Sequence, residues 1–276
     1  MQAWRKIFGK KLICFGGGII LILILGAVLA DVFITYPPHS QALRDRLLPP
    51  GQGGHLLGTD EFGRDLWSRI VYGSRVSIKV SFISVGIALS FGTLLGLISG
   101  YFGARLDMFL GRVVDIMMAF PPLLLALLIV ASLGASLTNA MVAIGITLIP
   151  RFYRVVRAST LLVRERAFVL AAKALGRSNI GIMLRHILPN VLSPILVAVS
   201  LAMGNAILTE AELSFLGLGV QPPTPSWGSI VASGKEYLDS APWISGIGGL
   251  VIMIVVLGFN LLGDGLRDLL DPKLKT

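Results

Sequence analysis

Long uncharged runs separated by short polar stretches dominate this chain. The first runs from Leu12 to Ala30, directly after the basic cluster Arg5, Lys6, Lys10 and Lys11. It approaches the roughly 20 residues that a helix needs to cross a bilayer. It is longer than the apolar core of a secretory signal, so it reads as a retained span. A polar stretch from Asp31 to Lys79, broken by Pro37-Pro38 and Pro49-Pro50-Gly51, reads as a loop. Val80 to Ala104 is the next span, and its Gly92, Gly96 and Gly100 form a small-residue ridge for close helix packing. From Ile116 to Pro150 there is no charge at all. That is too long for one upright helix, and Gly134 to Asn139 supplies a turn between two spans, the first beginning near Arg112 and the second running on toward Val156. Pro121-Pro122 should kink the first of these two. Further spans cover Ile187 to Thr209 and Trp243 to Gly263.

The expected fold class is therefore an all-α polytopic membrane protein with six transmembrane helices. Composition agrees, because 54% of the 276 residues are hydrophobic and only 14% are charged. Average soluble proteins carry about 25% charged residues. The net charge of +9 would suggest nucleic acid in a soluble protein. Here its distribution matters more, since Lys and Arg concentrate on the cytoplasmic side. With the N-terminus inside, 17 of the 24 basic residues fall in cytoplasmic segments and 7 outside. The chain is thus N-in and C-in. The lone cysteine, Cys14, excludes a disulfide framework within the chain and reads as a small lipid- or protein-facing residue.

Eight basic residues lie between Arg151 and Pro189, which the topology places in the cytoplasm. Ala167 to Leu175 is a good helix former, and Gly176 sits where a left-handed cap would end that helix. Ser178 or Asn179 can start a second short helix that Pro189 bends or terminates. The small residues Ala171 and Ala172 give the first helix a surface that a partner can approach closely. The spacing of Ala171-Ala172, Gly176 and Leu188-Pro189 resembles the "EAA" loop of bacterial ABC-importer permeases. Leu170 stands where that motif usually has Glu.

Other pieces carry the same resemblance from about Leu56 to Pro272. Gly58-Thr59-Asp60 with Gly63-Arg64-Asp65 is similar to a segment of the dipeptide/oligopeptide/nickel subfamily. So are Ser214 to Gly219, Pro222-Pro223 with Trp227, and Asn260 to Asp268. The chain looks like the C-type member of the permease pair. The resemblance implies a type I ABC importer permease fold, with an N-terminal transmembrane helix and outward-facing segment over residues 1–73 and a transmembrane core over 74–264. Its coupling loop would span about 151–189, and residues 265–276 would form a cytoplasmic tail.

The resemblance also implies partners: a homologous permease completing a heterodimer, two ABC ATPase subunits and an extracytoplasmic solute-binding protein, in a bacterial or archaeal plasma (inner) membrane. The ATPase-coupling residues would be Leu170, Ala171, Ala172, Gly176, Arg177, Ser178, His186, Leu188 and Pro189. Gly58, Thr59, Asp60, Gly63, Arg64, Asp65, Pro222, Pro223 and Trp227 would lie in outward-facing segments. ATP and Mg would belong to the partner ATPases, since no phosphate loop occurs in the sequence. No catalytic or metal-spaced cluster is evident, and His39 and His55 are read as loop residues rather than ligands. In the Asp/Arg-rich outer stretch the alternating Asp and Arg can pair in an ordered turn with tight backbone at the glycines, and the alternative is a solvated loop held by weak surface ion pairs. Acidic residues are essentially absent from the expected spans, which argues against a proton-coupled carrier. A secondary carrier or channel, or a membrane enzyme, is the reading of another class. Di- or oligopeptide is the expected cargo, with nickel or a chelated metal as the alternative. Nothing in the sequence calls for nucleic acid.

Overall fold

A computed structural model describes residues 11–270. The basic residues before Lys11, and Asp271, Pro272 and the end of the expected tail, lie outside them. Helix α1 spans Lys11–Val28 and is followed by the short α2, Ala30–Phe33. Then come α3 (Leu66–Phe102), α4 (Ala104–Met118), α5 (Pro122–Leu133) and α6 (Leu137–Arg164). Two short helices, α7 (Ala167–Ala174) and α8 (Asn179–Ile182), precede α9 (Leu192–Phe215). Helix α10 (Trp227–Gly234) lies before the last, α11 (Trp243–Leu270). Among the described residues five helical runs are long and apolar enough to cross a bilayer, and the pair α4 and α5, bent by 87°, makes six when taken as one broken span. In lipid every backbone polar group must be bonded internally, which is why helices fill this role.

Several boundaries differ from those read along the chain. Helix α3 begins at Leu66 rather than Val80. Asp65 caps it, its Oδ2 accepting the Ser68 N–H at 2.8 Å. Its polar residues Ser68, Arg69, Ser74 and Ser77 are buried against other parts of the protein, so they need not meet lipid. The charged stretch from Arg105 to Asp115 is helical, not loop. Its acids bind α6: Asp107 takes Arg157 at 2.6 Å, and Asp115 takes Arg154 at 3.1 Å. At Pro121-Pro122 the chain breaks rather than kinks, with Pro122 inside the first turn of α5.

The turn after α5 forms as expected. Gly134 adopts φ +92°, Asn139 donates to the Leu133 and Gly134 carbonyls, and Ser136 caps α6. Pro189 does not terminate its helix. A π turn over Met183–Ile187 and a 3-10 turn over Leu188–Val191 carry the chain into α9. Pro189 sits in the first turn of that 3-10 piece, where its missing N–H costs little. Helix α9 continues past Thr209, so Glu210 and Glu212 are helical. Glu210 is buried, its carboxylate accepting the Ser214 hydroxyl at 2.6 Å. Acidic side chains are thus present within a spanning helix. Helix α11 likewise runs past Gly263 through Arg267 and Asp268.

The glycine ridge of α3 packs on α6. A Cβ on Gly96 would lie 2.8 Å from the Tyr153 carbonyl oxygen and 2.8 Å from Val156 Cβ. Gly92 and Gly100 meet α6 just as closely, at Phe152 and Thr160. A similar seam joins α1 to α11, where Gly16 lies against the backbone of Gly258 and Leu262. The main core, with Leu66, Ile144, Ile207, Trp227 and Phe259, fills the space between these helices. A smaller apolar cluster at the other end joins Leu97, Val156, Val169, Ala172, Ile182, Ile187 and Val191. It anchors the loop of α7 and α8.

This topology makes a direct expectation. With Cys14 replaced by Ala, single cysteines at Ser178 and Thr224 should be modified by a membrane-impermeant maleimide from opposite sides of sealed vesicles. Modification of both from the outside would contradict the six-span arrangement.

Candidate functional site

The inward end of the molecule presents α7 and α8 as a rigid knob. Helix α7 closes in a two-bond cap, with the Arg177 N–H on the Ala172 carbonyl at 3.1 Å and the Gly176 N–H on that of Lys173 at 3.0 Å. Gly176 has φ +73°, the left-handed geometry that this cap needs. Ser178 Oγ then accepts the Gly181 N–H and caps α8, and Tyr101 donates to the Asn179 amide oxygen at 2.8 Å. His186 and Leu188 are half-buried, and Pro189 is exposed at the foot of α9.

The outward face of this knob is not the small surface expected. Ala172 turns inward and is buried with Val169, while Ala171 alone of the pair is exposed. Large apolar side chains stand out beside it: Phe168, Leu170, Leu175, Ile180 and Leu184. Leu175 is 88% exposed. Phe168, Ala171 and Leu175 share one face of α7 by their spacing. Soluble surfaces rarely carry a contiguous apolar group of this kind unless a partner covers it. Leu170 borders a shallow groove with Arg164, Lys173 and Tyr101.

At the opposite end the two outward segments meet. Asp60 accepts hydrogen bonds from the backbone N–H of Phe62 and of Arg64 and from Arg64 Nε, the last at 2.6 Å. Arg69 Nε lies 3.3 Å from the same carboxylate. Asp65 accepts from Thr35 and faces His55 Nδ1 at 2.9 Å, in addition to capping α3. Thr59 bonds the Asp45 carbonyl and receives the Leu48 N–H. Gly58 and Gly63 adopt positive φ and leave no room for a Cβ against Leu48 and Ala42. Thr59, Asp60, Arg64, Asp65, His55 and Arg69 are all buried. The ordered turn is therefore the reading that holds over the solvated loop, because Asp60 pairs with Arg64 and lies close to Arg69 inside a folded cap. Burial, reinforced by the Asp60 charge, raises the Glu61 carboxyl above its ordinary pKa.

Pro222 and Pro223 are exposed, whereas Trp227 is buried and donates its Nε1–H to the Ile70 carbonyl at 3.0 Å. His39 meets the Pro223 carbonyl at 3.1 Å, which ties the first outer segment to the second. Among the described residues, no group of three or more His, Cys, Asp or Glu side chains is placed to hold a metal.

A knob on one membrane face, a folded cap on the other and six spans between them are the geometry of a membrane permease. Residues 92–276 match the family model described as the binding-protein-dependent transport system inner membrane component. The chain belongs to that family. Residues 1–50 also match the model of the N-terminal TM domain of oligopeptide transport permease C. The dipeptide transport system permease protein DppC of Alkalihalophilus pseudofirmus is 48% identical to this permease, covering 100% of this chain and 90% of the relative. The Haemophilus influenzae protein of the same name is 45% identical over 93% and 88% of the two chains. The glutathione transport system permease protein GsiD of Pectobacterium atrosepticum is 40% identical over 100% and 91%. Among solved structures, an inward-facing MetNI methionine ABC transporter matches with a TM-score of 0.62 at 18% identity, over 73% of this chain and 96% of that one. That likeness bears on the fold, which is the type I ABC importer permease fold. Multi-pass placement in the bacterial inner membrane follows from the family and the apolar helices.

Asp60 holds two buried guanidinium groups, and removing one member of such a pairing typically costs ~3–5 kcal/mol. Asp60→Ala should therefore lower the thermal stability of the purified permease sharply. Glu61→Gln, which removes a carboxylate whose charge burial disfavours, should change it by under ~1 kcal/mol. Equal shifts in a detergent thermostability assay would deny Asp60 its role in the cap.

Proposed function

We propose that this permease forms half of the translocation pathway of an ATP-driven importer of di- or oligopeptides. Its relatives' names support peptide cargo: two of those above are named dipeptide transport permeases, and a third is named for glutathione, a peptide. Nickel, the alternative cargo, has no comparable support. The proposed assembly pairs this chain with a homologous permease, two ABC ATPases that bind ATP and Mg, and an extracytoplasmic solute-binding protein. This chain itself supplies no catalysis.

The observation that carries the coupling half of this reading is the exposed apolar face of Phe168, Leu175 and Ile180 on a knob whose inner face is packed into the bundle. A partner that grips such a knob moves the helices beneath it. Arg164 at the inner end of α6 donates to the Gly100 carbonyl at the end of α3, which binds the root of the knob to two spans. The outward cap is the proposed seat of the solute-binding protein. The domain division proposed is an N-terminal transmembrane helix with an outward segment to residue 73, a core over 74–264, and a tail from 265 that starts as helix.

Gly176 tests the coupling role. No atom lies within 4 Å of a Cβ built there, so a substitution strains the backbone without a steric clash. Gly176→Val should cost on the order of 1–2 kcal/mol locally. It should weaken ATPase co-purification and substrate-stimulated hydrolysis while the spans stay inserted. Leu175→Asp should do so more strongly, since it charges the most exposed apolar position. Leu170→Glu should be tolerated, because the side chain is about half exposed beside Arg164 and Lys173. Normal ATPase association and normal uptake by both Gly176→Val and Leu175→Asp would overturn the coupling assignment.

A further inference from the structure

A second feature of α6 lies deeper in the membrane. Arg151 stands roughly 20 Å along the helix from Leu137, at ~1.5 Å per residue, so it belongs to the spanning segment and not to the cytoplasmic loop. The other arginines of α6 have carboxylate partners: Arg154 with Asp115, Arg157 with Asp107 and Arg164 with Glu165. Among the described residues Arg151 has none within ion-pairing distance. Its side chain is half-buried and lines a cavity of about 370 Å³.

The walls of that cavity come from three places. The break between α4 and α5 gives Met118 and Pro122, α6 gives Thr147 and Arg151, and α9 gives Asn205 and Thr209. Asn205 is exposed in the middle of a spanning helix. A charged guanidinium and a primary amide at this depth are costly against hydrocarbon, so this face lines an aqueous path. The volume is at the low end for small-molecule sites. No carboxylate lines it, so the cavity favours an anion.

We infer that Arg151, with Asn205 beside it, is a way-station for the terminal carboxylate of the translocated peptide. Arginine presents a planar fork that matches a carboxylate with two parallel N–H donors. The Asn205 amide and the Thr209 hydroxyl can donate to the same group, whereas the Thr147 hydroxyl already donates to the Ile144 carbonyl at 2.8 Å. A single unpaired cation holds such a group transiently rather than tightly, as a path that must also release it requires. The inference rests on the peptide-importer reading.

The test uses the full transporter with its partner permease, ATPases and binding protein. Saturation-transfer NMR on the detergent-solubilised complex without binding protein compares a dipeptide with the same dipeptide amidated at its C-terminus. Uptake of the free dipeptide into proteoliposomes, at saturating binding protein and per assembled complex, is measured in parallel. The wild type should give a clear signal for the free acid and a weak one for the amide. Arg151→Gln should abolish that difference and lower maximal uptake on the order of tenfold, the scale of one charge-assisted hydrogen bond. Arg151→Lys should recover part of both, which lost packing alone would not explain. If Arg151→Gln fails to assemble, Arg151→Lys and Asn205→Ala decide, each expected to reduce the acid-over-amide preference. An unchanged preference would overturn the site, as would inorganic phosphate displacing the dipeptide at equal concentration, which would mark a general anion site. Absence of dipeptide uptake or signal in the wild type would instead defeat the peptide-importer reading, and this inference with it.

Discussion

The backbone contact between α3 and α6 sets the frame for everything else. Gly92, Gly96 and Gly100 recur every four residues, and each takes the place of a side chain that α6 would otherwise meet at under 3 Å. In lipid there is little hydrophobic gain from bringing two apolar helices together, so van der Waals fit and small residues must supply it. The seam places Tyr153 against Ser99 at 2.7 Å and lets Asp107, on the next helix, reach Arg157. It also brings Arg164 within reach of the Gly100 carbonyl. Polar contacts at the inner end therefore depend on a contact made by residues with no side chain.

The two ends of the bundle handle charge in opposite ways. Outside, charged groups are drawn inward around Asp60, which accepts from two backbone N–H groups and from Arg64 and lies 3.3 Å from Arg69 Nε. Such a cap is held by partners, and loss of one leaves buried charge behind. Inside, the knob keeps its charges exposed and buries apolar side chains, Val169, Ala172, Ile182, Met183 and Ile187. Apolar groups that would ordinarily be covered remain open there. A rigid outer cap and an incomplete inner surface suit a subunit that is finished by partners on its inner side.

Much of this was legible along the chain where the signals are local. The glycine ridge, the turn at Gly134, the left-handed cap at Gly176 and the Ser178 cap each follow from a few neighbouring residues and hold in the fold. What misled was sequence polarity taken as a sign of solvent. Asp60, Arg64 and Asp65 are polar but buried, because their partners lie in the same outer segment and at the start of α3. For the same reason the first turns of α3 read as loop and Glu210 as lying beyond its helix. Ala172 read as surface because small residues suit either side of a helix. Only the packing of α7 on Ile182 and Ile187 decides which. Arg151 falls both in the basic loop read from Arg151 to Pro189 and in the span expected to run on toward Val156; the helix places it in the span and continues to Arg164.

That last placement links the two functional ends. Helix α6 is one element from Leu137 to Arg164, so the cavity at Arg151 and the root of the knob at Arg164 are carried by the same rod. Pro150, inside that helix, removes one backbone hydrogen bond immediately before Arg151. The other wall of the cavity is α9, which is joined to the far side of the knob through a π turn and a 3-10 turn. A force on α7 and α8 thus arrives at both walls by separate routes: through a long α-helix on one side, and through two turns of altered pitch on the other. Irregular helical turns are where a continuous helix yields most readily. Displacement of the knob would accordingly move α6 as a unit, while the link to α9 absorbs part of the motion. On the coupling role and the carboxylate site proposed above, the spacing between Arg151 and Asn205, rather than the position of either alone, is the quantity that the knob would control.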